Sequence, residues 1–230
     1  MINICICDND KEITLKLMKI VSSLDELHHF DIQQFHDTAS VLNSRTCFDL
    51  CILDIDLPDA DGIVLAEHVK KINEDALIIF YSKMDHLVFE SFKVHPFDFI
   101  RKSEDDENLI RKLSKAIHKV KDNNSFYIWS CRRDTSKIAY KDIVYFYKTL
   151  NDLNICTVNK DYTQRKALKD ISYPNYFYKV SSSLVINMRY LRSVTDNQLY
   201  FENGQHFTLS RVKLRELKKK YILFLSDEGV

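Results

Sequence analysis

The stretch Cys51–Gly62 reads CILDIDLPDADG. A short apolar run, Cys51-Ile52-Leu53, drives into four aspartates, Asp54, Asp56, Asp59 and Asp61, within eight residues. Like charges packed this closely raise the free energy of the cluster unless a cation or a proton relieves it. The pattern predicts a buried strand whose end faces something electropositive.

The same alternation of strand and helix signals extends outward on both sides. Ile2–Cys7 is a continuous apolar run with β-branched residues, as expected of a strand buried on both faces. Ile13, Leu17, Ile20, Val21 and Leu24 then recur at helical spacing. Asp31–Phe35 reads as a short strand, and Thr38 or Ser40 as the cap of a short helix. Leu50–Ile55 is the third strand, Ile63–Ile72 a helix, Ala76–Tyr81 the fourth strand and Leu87–Val94 a short helix. Phe97–Arg101 is the fifth strand and Asp105–Val120 a closing helix, with acidic residues in the first turn where the dipole favours them. Five strand–helix pairs imply a parallel, doubly wound α/β sheet covered on both faces. Sites in such sheets form at the C-terminal ends of the strands. Here those ends carry Asp8-Asn9-Asp10, Asp54, Ser82 and Lys102.

That set has a chemistry. Carboxylates at strand ends can hold Mg²⁺, which takes oxygen ligands and keeps several waters. A neighbouring carboxylate can attack phosphorus while the cation and a lysine offset charge on the transferring oxygens. A hydroxyl one strand away can bond the resulting acyl phosphate.

The second half differs in charge and in pattern. Residues 1–126 carry 15 Lys+Arg against 23 Asp+Glu, and residues 127–230 carry 18 against 10. The acidic half suits a cation site and the basic half a polyanion. Polar Lys119–Ser125 reads as the linker. Beyond it the signals are short and extended, at Phe126–Cys131, Lys137–Tyr140, Ile143–Lys148, Asn154–Val158, Tyr176–Ser181, Gln198–Phe201 and His206–Leu209. Helical candidates lie at Leu168–Ile171, Met188–Leu191 and Arg211–Leu223, and Asn203-Gly204 reads as a tight hairpin turn. Lys218, Lys219 and Lys220 read as a solvated face. No segment reaches the roughly 18 to 20 apolar residues of a membrane span. The N-terminus MINICICDND shows no signal-peptide pattern. With the six cysteines mostly inside apolar runs, reduced thiols and a cytoplasmic location are expected.

On Asp8, LDIDLPDADG, Ser82, Phe99 and Lys102, in that order and spacing, residues 1–121 resemble the receiver domain of two-component response regulators. The resemblance implies that Asp54 accepts a phosphoryl group from a sensor histidine kinase. It further implies that Asp8, Asn9, Asp54 and the Asp56 carbonyl hold Mg²⁺, and that Ser82, Phe99 and Lys102 switch in response. Asn9 stands where the family has a second acid, and Ser103 follows Lys102 where it usually has proline, so no cis peptide is expected there. Asp59 and Asp61 read as a turn residue and a helix cap. The Asp54-Ile-Asp56 pair also resembles the first motif of haloacid-dehalogenase-type phosphatases, whose later motifs are missing.

After a linker at 122–126, residues 127–230 resemble the mostly-β LytTR DNA-binding domain. This rests on Lys141–Phe146, FYKVSSSLVINMRYL (Phe177–Leu191) and FENGQHFTLSR (Phe201–Arg211). The resemblance implies that loops enter the grooves of double-stranded DNA through Asn151 and Asn154, Ser181, Ser182 and Ser183, and Arg211 and Lys213. Ser181-Ser182 stands where the family often has a histidine and a basic or amide residue. The combined reading is a DNA-binding response regulator, not an enzyme beyond its own phosphoryl transfer, which dimerises when active through the region of Phe89, Phe92 and Phe97. Two other readings stay open: DNA binding independent of phosphorylation, and a β domain that docks a protein.

Overall fold

A computed structural model describes residues 1–25, 29–83, 91–195 and 197–228. The chain divides into two compact units, Met1–Asn123 and Asn124–Val230.

The first unit is built on β1 (Ile2–Cys7), β2 (Phe30–Phe35), β3 (Leu50–Leu53), β4 (Leu77–Ser82) and β5 (Asp98–Arg101). They form one parallel sheet in the order β2-β1-β3-β4-β5. Its helices are α1 (Lys11–Ser23), α2 (Thr38–Leu42), α3 (Gly62–Ile72) and α4 (Asp106–Asn123). Successive side chains of a strand point to opposite faces, and both faces here are dry. Cys5, Cys51, Leu53, Ile78 and Phe80 pack with Val41, Ile63, Leu65 and Val69 on one side. Ile4, Ile6, Leu50, Ile52, Ile79 and Tyr81 pack with Leu17, Val21, Leu109, Leu113 and Ile117 on the other. Double coverage explains why the strands read as unbroken apolar runs.

Several boundaries moved for local reasons. The β1–β3 ladder closes with the Asp54 N–H donating to the Cys7 carbonyl (2.8 Å), and β3 ends there because Leu57 and Gly62 then both donate to the Ile55 carbonyl and turn the chain away. The cap of α2 is Asp37, whose carboxylate accepts from the Ser40 N–H at 2.7 Å, rather than Thr38 or Ser40. α4 continues to Asn123, so most of the polar stretch read as a linker is its last turn. The helix expected at Leu87–Val94 lies mostly outside the described residues; a single 3-10 turn covers Phe92–Val94.

The second unit is almost wholly β. Strands β6 (Phe126–Cys131) and β7 (Asp134–Ala139) form a hairpin. β8 (Ile143–Thr149), β9 (Asp152–Thr157), β10 (Tyr162–Arg165), β11 (Phe177–Ser181) and β12 (Leu184–Asn187) form a sheet in the order β10-β9-β8-β12-β11. β13 (Leu191–Val194), β14 (Gln198–Phe201) and β15 (His206–Thr208) form a third sheet, and α5 (Arg211–Glu228) follows. Tyr127, Ile138, Tyr140, Leu168 and Ile171 cover one face of the five-stranded sheet, over Phe146, Ile155 and Val185. Leu191, Leu199, Phe201 and Leu217 cover the other, over Val144, Tyr145 and Ile186. β10, β12 and β13 are absent from the sequence reading: β10 (YTQR) is a polar edge strand, β12 (LVIN) is buried along its whole length and shows no alternation, and β13 starts at the end of the stretch that reads as helical, Met188–Leu191. The expected helices at Leu168–Ile171 and Met188–Leu191 are single 3-10 turns. Gly204, at φ +82, supplies the left-handed residue of the expected β14–β15 turn.

Gly62 fixes the loop after β3. A Cβ on it would lie 2.0 Å from the Asp54 carbonyl oxygen and 2.9 Å from the Ile55 Cα. The first turn of α3 therefore rests directly on the Asp54–Ile55 peptide. Gly62→Ala is expected to destabilise the first unit by about 1–3 kcal/mol, the usual cost of overpacking. The lone tryptophan, Trp129, lies in the second unit. In urea, the variant should lower the midpoint seen by far-UV circular dichroism and leave the tryptophan-fluorescence transition in place.

Candidate functional site

The C-terminal ends of β1, β3, β4 and β5 meet in one pocket. Asp8 follows β1 and is 1 % exposed; Asp54 follows β3 and is 5 % exposed. Lys102 follows β5, and its Nζ lies 2.7 Å from Asp8 Oδ2 and 2.5 Å from Asp54 Oδ2. The Lys102 N–H donates to the carbonyl of buried Ser82 at 3.0 Å, stitching the ends of β4 and β5 together. All described peptide bonds, including those around Ser103, are trans.

Burial raises the pKa of Asp8 above the ordinary carboxylate value, against the pull of Lys102 and the Asp10 N–H. Burial works against the Lys102 charge, but the two carboxylates outweigh it and hold its pKa above that of a free lysine. Asp8 Oδ1 accepts from the Asp10 N–H at 2.9 Å. Asp8 Oδ2 touches the ammonium as an ion pair but lacks the alignment of a hydrogen bond. That buried oxygen keeps lone-pair capacity for another electropositive group. Asp54 Oδ1 accepts from the Asp56 N–H at 3.3 Å.

The remaining acids separate by role. Asp10 caps α1 through the Glu12 N–H, and Asp61 caps α3 through the Ile63 N–H. Asp59 accepts from the N–H groups of Thr38 and Ala39, both at 2.9 Å, so it caps α2 from across the loop. The nearby Thr38 hydroxyl and these N–H groups lower its pKa to about 2. Thr38 Oγ1 is not aligned for a hydrogen bond, so the two backbone donors are the firmer part of that grip. The side chains of Asn9 and Asp56 are exposed and stand off the pocket. Among the described residues no group of three or more His, Cys, Asp or Glu side chains is arranged to hold a metal. Phe99 packs on Phe80, with ring centroids 6.5 Å apart. The thiols take no part: all six are free, and burial lifts Cys5 well above its ordinary pKa and Cys7 to about 12.

In the second unit, the β8–β9 and β11–β12 loops share one end of the sheet. Tyr147 pairs with Leu184, and the Lys148 N–H donates to the Ser183 carbonyl at 2.8 Å.

The model of the response regulator receiver domain matches residues 4–114, and that of the LytTr DNA-binding domain matches residues 133–222. The chain is a DNA-binding response regulator of the LytTR type. Among curated proteins, the regulator is 25 % identical to the sensory transduction protein LytR of Streptococcus mutans, over 94 % of this chain and 97 % of that one. It is 25 % identical to the sensory transduction protein LytT of Bacillus subtilis, over 74 % and 78 %. Among solved structures, the response regulatory domain of mrkE from Klebsiella pneumoniae aligns at 22 % identity and a TM-score of 0.48, over 52 % of this chain and 98 % of that one. No described helix of the regulator is long and apolar enough to cross a membrane.

Among the residues expected in the receiver site, the fold brings Asp8, Asp54 and Lys102 into contact. It sets Ser82 beside them in the sheet and leaves the Asn9 side chain outside. In the LytTR part, Asn151 is exposed at the β8–β9 tip and Ser182 at the β11–β12 tip. Arg211 and Lys213 are exposed in the first turn of α5. Asn154 is spoken for: its Nδ2 donates to Thr149 Oγ1 at 2.9 Å, and its Oδ1 accepts from Thr163 Oγ1 at 3.0 Å. It braces the hairpin. Ser181 Oγ likewise closes its own turn by accepting from the Ser183 N–H at 3.1 Å. Nothing in the sequence marked the Asp59 cap, which joins elements about 20 residues apart.

Removing Lys102 leaves a buried carboxylate pair without its cation. Lys102→Met is expected to cost the receiver about 3–5 kcal/mol at pH 7. An acid whose folded pKa is raised binds its proton more readily folded than unfolded, so stability falls as pH rises through that window. Without Lys102, Asp8 titrates higher still. The deficit of the variant should therefore shrink between pH 7 and pH 5, as read from urea unfolding at both values; an equal deficit at both would contradict this account.

Proposed function

We propose that the regulator is controlled by phosphorylation of Asp54. A sensor histidine kinase donates the group, and the LytTR domain binds paired sites on double-stranded DNA in the cytoplasm. The observation that carries this reading is the buried Lys102 ammonium, in contact with Asp54 at 2.5 Å and with Asp8 at 2.7 Å.

Asp54 is the nucleophile, because it alone of the loop acids sits in the pocket without capping a helix. Attack by its carboxylate on the phosphorus of a phosphohistidine breaks the P–N bond and leaves an acyl phosphate on Asp54. Lys102, already tied to the Asp54 carboxylate, pairs with the phosphoryl oxygens. The Ser82 hydroxyl, at the end of the adjoining strand, is the hydrogen-bond donor that draws the β4 end toward the new group. Phe99, half-buried against Phe80, is the side chain whose packing reports the movement.

The pocket fits Mg²⁺: Asp8 and Asp54 offer two carboxylates, one with an unaligned buried oxygen, and the ion needs only one or two carboxylates beside its waters. The backbone carbonyl of Asp56 would join them, while the Asn9 amide, exposed outside the pocket, supplies no ligand in this arrangement. When bound, the ion offsets negative charge on the transferring group. Asn9 brings no charge, so affinity for the ion is below that of a three-acid pocket. That feature favours a second reading, in which the receiver acts without phosphate and the LytTR domain binds DNA constitutively.

Dimerisation on activation is assigned to the region of Phe92 and Phe97, which are 56 % and 37 % exposed; Phe89 lies outside the described residues. The regulator turns over no external substrate.

Incubation with Mg²⁺ and acetyl phosphate is expected to add one phosphoryl group to the intact mass of the parent and none to Asp54→Asn. Retention on duplex DNA should then rise, and should fall steeply with salt as lysines and arginines release counterions from phosphates. Loss of the mass gain with DNA binding intact selects the second reading. Retention that ignores salt removes DNA as the partner.

A further inference from the structure

The β8–β9 hairpin tip carries a contradiction. Its two-residue loop is Leu150-Asn151, between Thr149 and Asp152, which pair across the hairpin. Leu150 adopts φ +50. That region is favoured by glycine or asparagine; a bulky side chain there is strained, and the first position of such a loop usually carries Gly, Asn or Asp. Leu150 is also 94 % exposed. Neither backbone preference nor burial in its own fold accounts for a leucine at this place.

The scaffold beneath the tip is braced. Asn154 bridges Thr149 on one side and Thr163 on the other, and the Lys148 N–H is bonded to Ser183 of the neighbouring loop. Leu150 is thus held out on a stiff support beside exposed Asn151 and Ser182. The unit that carries it has an excess of eight positive charges over residues 127–230, which draws it to a polyanion. On a duplex, the apolar feature open to such a side chain in the major groove is the thymine C5-methyl group, and the side chain that reads the partner adenine through N6 and N7 is asparagine. Leu150-Asn151 presents both side by side.

We propose that Leu150 is a specificity-determining DNA contact, packing on a thymine methyl in the major groove while Asn151 reads the adenine of an A·T pair at the same step. This assignment rests on the DNA-binding reading above and adds to it the base that the first loop selects. Of the two asparagines expected to contact DNA from that loop, Asn154 is engaged within the fold, which leaves Asn151 at the tip.

The test uses the full-length chain, with or without acetyl phosphate and Mg²⁺, and a duplex that the wild type selects from a random-sequence pool. Each thymine of that duplex is replaced in turn by deoxyuridine, which removes only the methyl. Wild type is expected to lose about fourfold in affinity at one or two positions, the worth of a buried methyl group. Leu150→Gly relieves the backbone strain and should melt no lower than wild type, while binding the parent duplex roughly tenfold more weakly or worse. It should also be indifferent to deoxyuridine at the positions that wild type senses. Unchanged affinity of Leu150→Gly overturns the assignment and leaves DNA binding standing. Weaker binding with no thymine position sensed by the wild type overturns the thymine contact. A wild type that selects no duplex overturns the DNA reading and this assignment together.

Discussion

The receiver depends on one buried ammonium. Two carboxylates, Asp8 and Asp54, stand at the ends of adjacent strands with almost no access to water, and Lys102 sits between them. Each charge alone would be costly in that place, and the three together are tolerable because the ammonium contacts both acids. Burial and pairing pull Asp8 in opposite directions, and burial prevails. The pocket is therefore stable with the ammonium in it, and would be short of positive charge if a phosphoryl group were added to Asp54. That shortfall is what a metal ion would make up.

Around this charge the loop after β3 is held from two sides. Gly62 lets α3 rest on the Asp54–Ile55 peptide, where any Cβ would collide with the backbone. Asp59 reaches across to the N-terminus of α2. The four aspartates that crowd the sequence thus face different partners: one the ammonium, one its neighbour's carboxylate through its N–H, and two the ends of separate helices. Their mutual repulsion is relieved by distance and by helix dipoles as much as by Lys102.

The output unit follows a different logic. Its five-stranded sheet is closed on both faces by aromatic and aliphatic packing, and exposed polar and basic residues stand at the hairpin tips and in the first turn of α5. The β11–β12 loop is tied to the end of β8 by a backbone hydrogen bond from Lys148 to Ser183, so it shares one end of the sheet with the β8–β9 loop. At that end some polar side chains serve the fold. Asn154 and Ser181 spend their hydrogen bonds on the turns that carry the exposed residues.

The sequence by itself determined the doubly wound sheet of the first half, because strands dry on both faces must be continuous apolar runs, and it determined which strand ends carry Asp8, Asp54, Ser82 and Lys102. It determined that the second half is β-rich and basic. Three strands escaped it: β10 is a polar edge strand, β12 is buried along its whole length and shows no alternation, and β13 starts at the end of a stretch that reads as helical. Only the tertiary structure decided that Lys102 bridges both acids, that Asn9 and Asp56 stand outside, that Asp59 caps a distant helix and that Asn154 is a brace. The Lys102 and Asp59 contacts join groups about 20 residues or more apart, and the Asn154 bonds depend on a hairpin register; hydrogen-bond partners of either kind leave no mark on local spacing or composition.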